Sequence, residues 1–168
     1  LSAVQLRQES IVEDILGALD RHHLPAALLE LEVTETSFMT NMADAIRKLN
    51  QLQQAGIVIS VDDFGTGYSS LTYLKKMPVH SLKIDKQFIR DLLVNEEDTR
   101  IANIIIDLGR SLNLKVIAEG VETAEQEAYL TRRGCDIGQG YFFSKPVPPR
   151  DFESFLKTFH RNIVENNT

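Results

Sequence analysis

A single cysteine, Cys135, leaves no partner for an internal disulfide, so nothing in the chain demands an oxidising compartment. Cys135 is expected to be a small buried residue at the start of a strand. Basic residues are also short relative to acids. The 18 Lys and Arg face 24 Asp and Glu, for a net charge of -6. Binding along a nucleic-acid backbone needs a Lys/Arg surplus on some face, so neither DNA nor RNA is expected as a partner. An acidic chain can still hold a phosphate ligand if divalent cations mediate the contact. No run approaches the roughly 18 apolar residues of a membrane span. Residues 1–9 lack the basic-then-apolar order of a secretory leader. A cytoplasmic location is therefore expected. The chain begins at Leu1, not Met, immediately before a helical pattern, as a piece cut from a longer protein would.

Several chemical patterns are missing as well. His22, His23 and His80 have no paired cysteines and no His-x-x-x-His spacing, which excludes the common zinc sites and leaves all three expected at the surface. Ser69 and Ser70 lack a Gly-x-Ser-x-Gly context, so a serine hydrolase is not indicated. No Lys-Ser/Thr follows Gly65 and Gly67, which rules out a Walker loop, and their spacing is not that of a dinucleotide loop. What remains is an ordinary globular composition, 43% hydrophobic and 25% charged, sufficient for a core.

Periodicity supplies the organisation. Ile11, Val12, Ile15, Leu16 and Leu19 recur at helical spacing, and Pro25 stops the pattern. Residues 28–34 alternate as a strand does, with Leu29, Leu31 and Val33 on one side and Glu30, Glu32 and Thr34 on the other. Met42, Ala45, Ile46, Leu49 and Leu52 form a second helical stripe, closed by Gly56 where a left-handed cap belongs. The alternation continues with strands at 57–62, 81–85, 114–119 and 135–140. Helices are expected around 70–76, along Ile101 to Leu112, after a Thr123/Gln126 capping box that Gly134 ends, and through Phe152 to Phe159. The acidic run Asn95-Glu96-Glu97-Asp98 suits the positive end of a helix dipole. Five strands each followed by a helix require a parallel sheet with helices outside. Length alone favours an open doubly wound sheet, because a complete barrel takes at least about 200 residues.

The ends of the strands carry the chemistry. Glu32, Asp62 with Asp63, Lys83 with Asp85, Glu119 and Gln139 close successive strands at the same end, where active sites assemble in parallel α/β folds. Glu32, Asp62, Lys83, Glu119 and Gln139 also share the parity that points into a barrel. Carboxylates converging there need compensation, and divalent cations with oxygen preference, Mg²⁺ or Mn²⁺, supply it. Lys83 would offset charge and could orient or deprotonate a water. Any one of these acids alone would read as a helix cap or a surface ion pair. The loop Phe64-Gly65-Thr66-Gly67-Tyr68-Ser69-Ser70, beside the paired aspartates, is expected to move or to be docked by Glu35.

In order and spacing, Glu32-Val33-Thr34-Glu35, Asp62-Asp63-Phe64-Gly65-Thr66-Gly67-Tyr68-Ser69, Leu82-Lys83-Ile84-Asp85, Ala118-Glu119-Gly120-Val121-Glu122 and Gln139-Gly140-Tyr141 resemble the successive motifs of EAL domains. The resemblance implies an α/β fold that is part of a (β/α)8 TIM-like barrel, with about five βα units present and the first strands missing. Residues 1–163 would be the C-terminal portion of the domain and 164–168 a polar tail. It implies hydrolysis of cyclic-di-GMP to linear pGpG with two Mg²⁺ or Mn²⁺ ions. Glu32, Asp62, Asp63 and Glu119 then resemble metal ligands, and Lys83 resembles the lysine of the attacking water. Glu119 resembles a residue also viewed as general base, and the sequence does not choose between Lys83 and Glu119. Glu35 resembles the loop anchor, while Gln139 and Asp85 are placed with the substrate.

The departures are specific. The family's Glu-Ala-Leu segment is absent from these residues, and if Ser2 is the serine of the family's Asn-x-Ser segment, its asparagine falls just before Leu1. His80 stands where an aspartate is usual. The rival to catalysis is an inactive domain that serves as a cyclic-di-GMP receptor or a protein-interaction module. Open sheet edges lead to an expected homo-oligomer. Attached sensory or GGDEF domains are expected in the parent protein.

Overall fold

A computed structural model describes the chain apart from residues 39–40, 68–70 and 167–168, and apart from the side chains of 36, 38, 73 and 158–166. Its five strands are β1 (Glu30–Thr34), β2 (Val58–Phe64), β3 (Ser81–Ile84), β4 (Lys115–Glu119) and β5 (Ile137–Gln139). They pair in the order β1-β2-β3-β4-β5, every neighbour parallel. The helices are α1 (Ala3–Arg7), α2 (Ile11–Arg21), α3 (Met42–Gln54), α4 (Leu71–Leu74), α5 (Lys86–Arg90), α6 (Glu96–Leu112), α7 (Ala124–Arg133) and α8 (Pro149–Asn166). A doubly wound sheet reverses its strand order at a switch point. The order here never reverses, so the sheet is an arc of barrel type, and the open doubly wound alternative is set aside.

The two faces of the sheet differ as parity requires. Ile59 and Val61, Leu82 and Ile84, and Val116 and Ala118 alternate along their strands and are all but fully buried. They share one hydrophobic cluster with Leu49 and Leu52 of α3 and Ile105 and Ile106 of α6. Each Val, Leu or Ile side chain among them contributes about 1.5–3 kcal/mol on burial. Ser60 and Asp62, Ser81 and Lys83, and Glu119 occupy the opposite face, with Ile117 as its apolar member on β4. One sheet thus separates an apolar helix-covered side from a polar one.

Local sequence signals explain most boundaries. Thr123 and Gln126 form a reciprocal capping box at the start of α7, and Gly134 ends it with φ of 81°. Gly56 follows α3 with φ of 95°. Asn95 caps α6 by accepting from the Glu97 amide, and Glu96, Glu97 and Asp98 lie inside its first turn, where the dipole favours them. Two short helices escape the periodicity. Helix α1 spans 5 residues behind a Ser2/Gln5 capping box, and α5 also spans 5, behind the cap Asp85. The strands begin later than alternation suggests. A 3-10 turn over Ala26–Leu28 takes the expected start of β1, and Cys135, partly rather than fully buried, precedes β5 with its thiol bonded to the Val116 carbonyl at 3.3 Å.

His80 is the main correction among the candidates for the surface. Its carbonyl accepts from the Lys115 amide at 2.9 Å, and its own amide donates to the Ile59 carbonyl at 2.8 Å. Its ring Nδ1 accepts from the Ile59 amide at 3.1 Å. A side-chain acceptor just ahead of one strand thus finishes the hydrogen bonding of the strand before it. Asp136 repeats the device ahead of β5, accepting from the Val116 amide at 2.8 Å. His22 and His23 are exposed as expected.

His80→Ala strands the Ile59 amide in the sheet and is expected to lower stability by about 1–2 kcal/mol. His80→Asp supplies a carboxylate acceptor and should lose clearly less. Urea unfolding monitored by circular dichroism checks this, and equal losses for both variants would contradict the role given to Nδ1.

Candidate active site

The polar end of the sheet converges on Lys83. This residue, on the middle strand β3, is 3% exposed. Its ammonium contacts Glu32 of β1, Glu119 of β4 at 2.6 Å and Asp62 of β2 at 3.1 Å. The contact with Asp62 is an ion pair whose geometry leaves Asp62 Oδ1 buried and without a hydrogen bond. Burial pulls the lysine pKa down, but the contacts with the Glu119, Glu32 and Asp62 carboxylates outweigh it and hold the ammonium above its ordinary value. At neutral pH Lys83 is a charged group.

Asp62 and Asp63 are adjacent, and a regular strand would send them to opposite faces. The pairing of β2 with β3 shifts register between Val61 and Phe64, and Asp63 takes the left-handed conformation with φ of 53°. This bulge re-aims the chain. One ligand atom each from Asp62, Asp63 and Glu119 then lie within 4.8 Å of one another. Desolvation, the neighbouring Asp62 charge and a hydrogen bond with Asp85 raise the Asp63 pKa. A group of hard oxygen donors, one of them the buried Asp62 Oδ1 that no hydrogen bond satisfies among the described residues, fits a divalent cation such as Mg²⁺ or Mn²⁺.

The other predicted residues take separate positions. Asp85 caps α5 through the Gln87 amide at 2.7 Å while facing Asp63. Gln139 stands beside Glu119 in the β4–β5 register, its side of β5 exposed. Glu35 does not join the lysine cluster. It is 3% exposed in a 3-10 turn, and neither carboxylate oxygen has a hydrogen bond among the described residues. Its carboxylate lies against Gly67, where an added Cβ would come within 3.1–3.3 Å of it. Gly65 combines a φ of 99° with close approach to Phe88 and Ile105, so a side chain there would be strained and crowded. The Thr66 hydroxyl donates to the Asp63 carbonyl at 2.9 Å, tying the loop to the bulge. Tyr68 lies outside the described residues.

Sequence reading overlooked a second polar layer. The Glu30 carboxylate accepts from the hydroxyls of Ser60 and, at 3.5 Å, Ser81. Each of these residues lies two positions before a member of the lysine cluster, on the same face of its strand. The signal was present as polar residues at strand positions i−2, where alternation with the apolar face makes them visible.

A parallel βα arc that gathers acidic oxygens and a buried lysine at one end defines a domain of the α/β-barrel type with a centre suited to a hard cation. The EAL domain family model matches residues 1–146, and the chain belongs to that family. It is 45% identical over 157 residues to the cyclic di-GMP phosphodiesterase NbdA of Pseudomonas aeruginosa, covering 94% of this chain and 20% of that protein. It superposes on the PaMucR phosphodiesterase, solved in complex with c-di-GMP, with a TM-score of 0.87 at 46% identity, covering 90% of this chain and 62% of that one. BlrP1 of Klebsiella pneumoniae, solved with manganese and cyclic-di-GMP, matches with a TM-score of 0.75 at 30% identity, over 84% of this chain and 36% of that one. The chain therefore spans about a fifth of the curated relative it matches.

Asp63→Asn keeps a residue tolerant of the left-handed conformation and removes a charge from beside Asp62 and Asp85. In metal-free buffer at pH 7 it is expected to raise the melting temperature and to weaken Mn²⁺ binding. A carboxylate whose folded pKa is raised costs stability above that pKa and none once it is protonated in both states. The advantage of the variant should therefore shrink as pH falls through the raised Asp63 pKa toward the ordinary carboxylate range. An advantage independent of pH would contradict the assignment.

Proposed function

We propose that the protein containing this chain is a cation-dependent phosphodiesterase that hydrolyses cyclic-di-GMP to the linear dinucleotide pGpG. The observation that carries this reading is the convergence of Glu32, Asp62 and Glu119 on Lys83 beside Asp63. Similarity to NbdA and PaMucR, whose names state that activity or ligand, supports it.

Asp62, Asp63, Glu119 and Glu32 would hold Mg²⁺ or Mn²⁺. When bound, the cations supply Lewis acidity and neutralise charge developing on the phosphate. The chain's own groups do the rest. An ammonium has no lone pair with which to take a proton, so Lys83 orients the attacking water. Glu119 is the base, receiving the water's proton as the new oxygen–phosphorus bond forms and the bond to the ribose 3′ oxygen breaks, the departing oxygen taking a proton from solvent. Gln139 and Asp85 flank the substrate at the rim. Glu35 positions the glycine loop through Gly67 without touching the reacting atoms. The protein is proposed to act in the cytoplasm, as part of a longer chain carrying sensory or GGDEF domains, in keeping with the greater length of its relative.

Turnover of cyclic-di-GMP by the intact protein with Mg²⁺ or Mn²⁺, followed by chromatography of the linear product, is the test. Glu119→Gln is expected to lower kcat by roughly a hundredfold or more. Tight binding of cyclic-di-GMP with no turnover by the unchanged protein would instead make it a receptor.

The five described strands end the sheet at β1, whose edge is met at the Glu32 carbonyl by the Leu1 amino group, and at β5, where Ile137 to Gln139 are exposed throughout. Such edges pair or are covered. The 168-residue chain alone is therefore expected to self-associate, to bind Mg²⁺ weakly and to be nearly inactive. Light scattering and the same assay check this, and a monomer turning over at the rate of the intact protein would contradict it.

A further inference from the structure

The carboxylates that hold Lys83 and those that could hold a cation are overlapping sets. Lys83 takes Glu32, Asp62 and Glu119, while the oxygens grouped closely enough for an ion are those of Asp62, Asp63 and Glu119. Two of three are shared. We propose that Lys83 is an internal counter-ion that competes with the divalent cation for Asp62 and Glu119, so that its charge limits how tightly the centre takes a metal. The inference rests on the reading of these acids as metal ligands.

Competition has a signature that a supporting role lacks. A carboxylate has two oxygens, and Lys83 could keep one of each while a cation takes the other. In that arrangement the ammonium holds the ligands in place, and its removal would loosen them and weaken binding. Under competition its removal does the reverse. A buried positive charge within a few ångströms of a divalent ion opposes it strongly in a medium poorer in water than bulk solvent. The same charge offsets mutual repulsion of the acids when no metal is present, so its loss should destabilise the metal-free fold. Lys83 would thus trade cation affinity for a centre that stays assembled while empty of cation.

The experiment measures Mn²⁺ binding to the intact protein by electron paramagnetic resonance of the free ion, beside thermal unfolding with EDTA and with Mn²⁺. Lys83→Met, which keeps the stem and removes the charge, is expected to bind Mn²⁺ about tenfold or more tightly than the unchanged protein. It should melt lower in EDTA and show a larger rise in melting temperature on adding Mn²⁺. Lys83→Arg, which keeps the charge, should bind like the unchanged protein. Folding of Lys83→Met only when Mn²⁺ is present would also support competition, because the ion then replaces the ammonium. A folded Lys83→Met that binds Mn²⁺ no more tightly, or less tightly, overturns the proposal. So does a variant that stays unfolded at saturating Mn²⁺, since the cation would be no substitute for the ammonium. If the unchanged protein and the variants all take up no Mn²⁺, the assignment of the acids as metal ligands fails as well.

Discussion

A lysine ammonium cannot be left uncompensated in the middle of a sheet, because taking an ion out of water costs several kcal/mol unless opposite charges and hydrogen bonds receive it. Lys83 sits at that place, on the central strand and 3% exposed. Its partners come from strands on both sides, which fixes the relative heights of β1, β2, β3 and β4. Lys83 pairs in register with Ile117, two positions before Glu119. Two residues of a strand rise about 6.6 Å, and the lysine stem reaches about that far, so the ammonium meets Glu119 further along β4. Asp62 approaches from beside it on β2 and Glu32 from β1, level with Ser60 and Ser81, so that three carboxylates surround it. A shorter cation would miss them, and a neutral residue would leave them repelling one another. Parallel pairing is a condition of this arrangement, since only then do all the strands end at the same side.

The loops beyond the strands keep those ends in place. The Val121 amide donates to the Gln139 carbonyl at 3.0 Å, and the Phe142 amide donates to the Val121 carbonyl at 3.0 Å. Gly140 permits that approach, because a Cβ there would lie 2.1 Å from the Val121 oxygen. The segments after β4 and β5, which follow Glu119 and Gln139, are therefore laced together by backbone. On the outer side, buried Gln126 of α7 accepts from the Glu122 and Thr123 amides and donates to the Ile89 carbonyl at 2.8 Å. That single amide joins the start of α7 to α5, the helix that Asp85 caps. The position of Glu119 is thereby tied to that of Asp85 through covalent and hydrogen-bonded links rather than through flexible contacts.

Much of this was legible in the sequence because two simple periods carry it. Alternation placed Glu32, Asp62, Lys83 and Glu119 on one face, and strand-then-helix succession placed them at one end. The bulge at Asp63 was not legible. Its left-handed residue is an aspartate, not the glycine that would announce it, and the register shift exists only against a partner strand. The role of His80 was hidden for a related reason. An imidazole just ahead of a strand has no local pattern, and its acceptor function depends on an amide 21 residues away. Helix α5 was missed because 5 residues cannot display a helical stripe, although Asp85 two residues before Gln87 is an ordinary capping arrangement. The layer of Glu30, Ser60 and Ser81 went unnoticed because attention to strand ends passes over polar residues at strand starts.

The distribution of burial across the site follows from the same sheet. Asp62 and Glu119, on strands flanked on both sides, have side chains 22% and 19% exposed, whereas Glu32, on the edge strand β1, is 49% exposed. Gln139, on the other edge, is exposed too. Electrostatic attraction strengthens as water is excluded, so the charges of the inner pair act on Lys83 with less screening than that of Glu32. The same inner pair is shared with the group that could take a cation. Whatever covers the edges of β1 and β5 would bury Glu32 and Gln139 further and lower the local dielectric around the lysine. Closing the sheet and strengthening the charged centre are then one process, because the two edge strands are also the strands whose site residues remain in water.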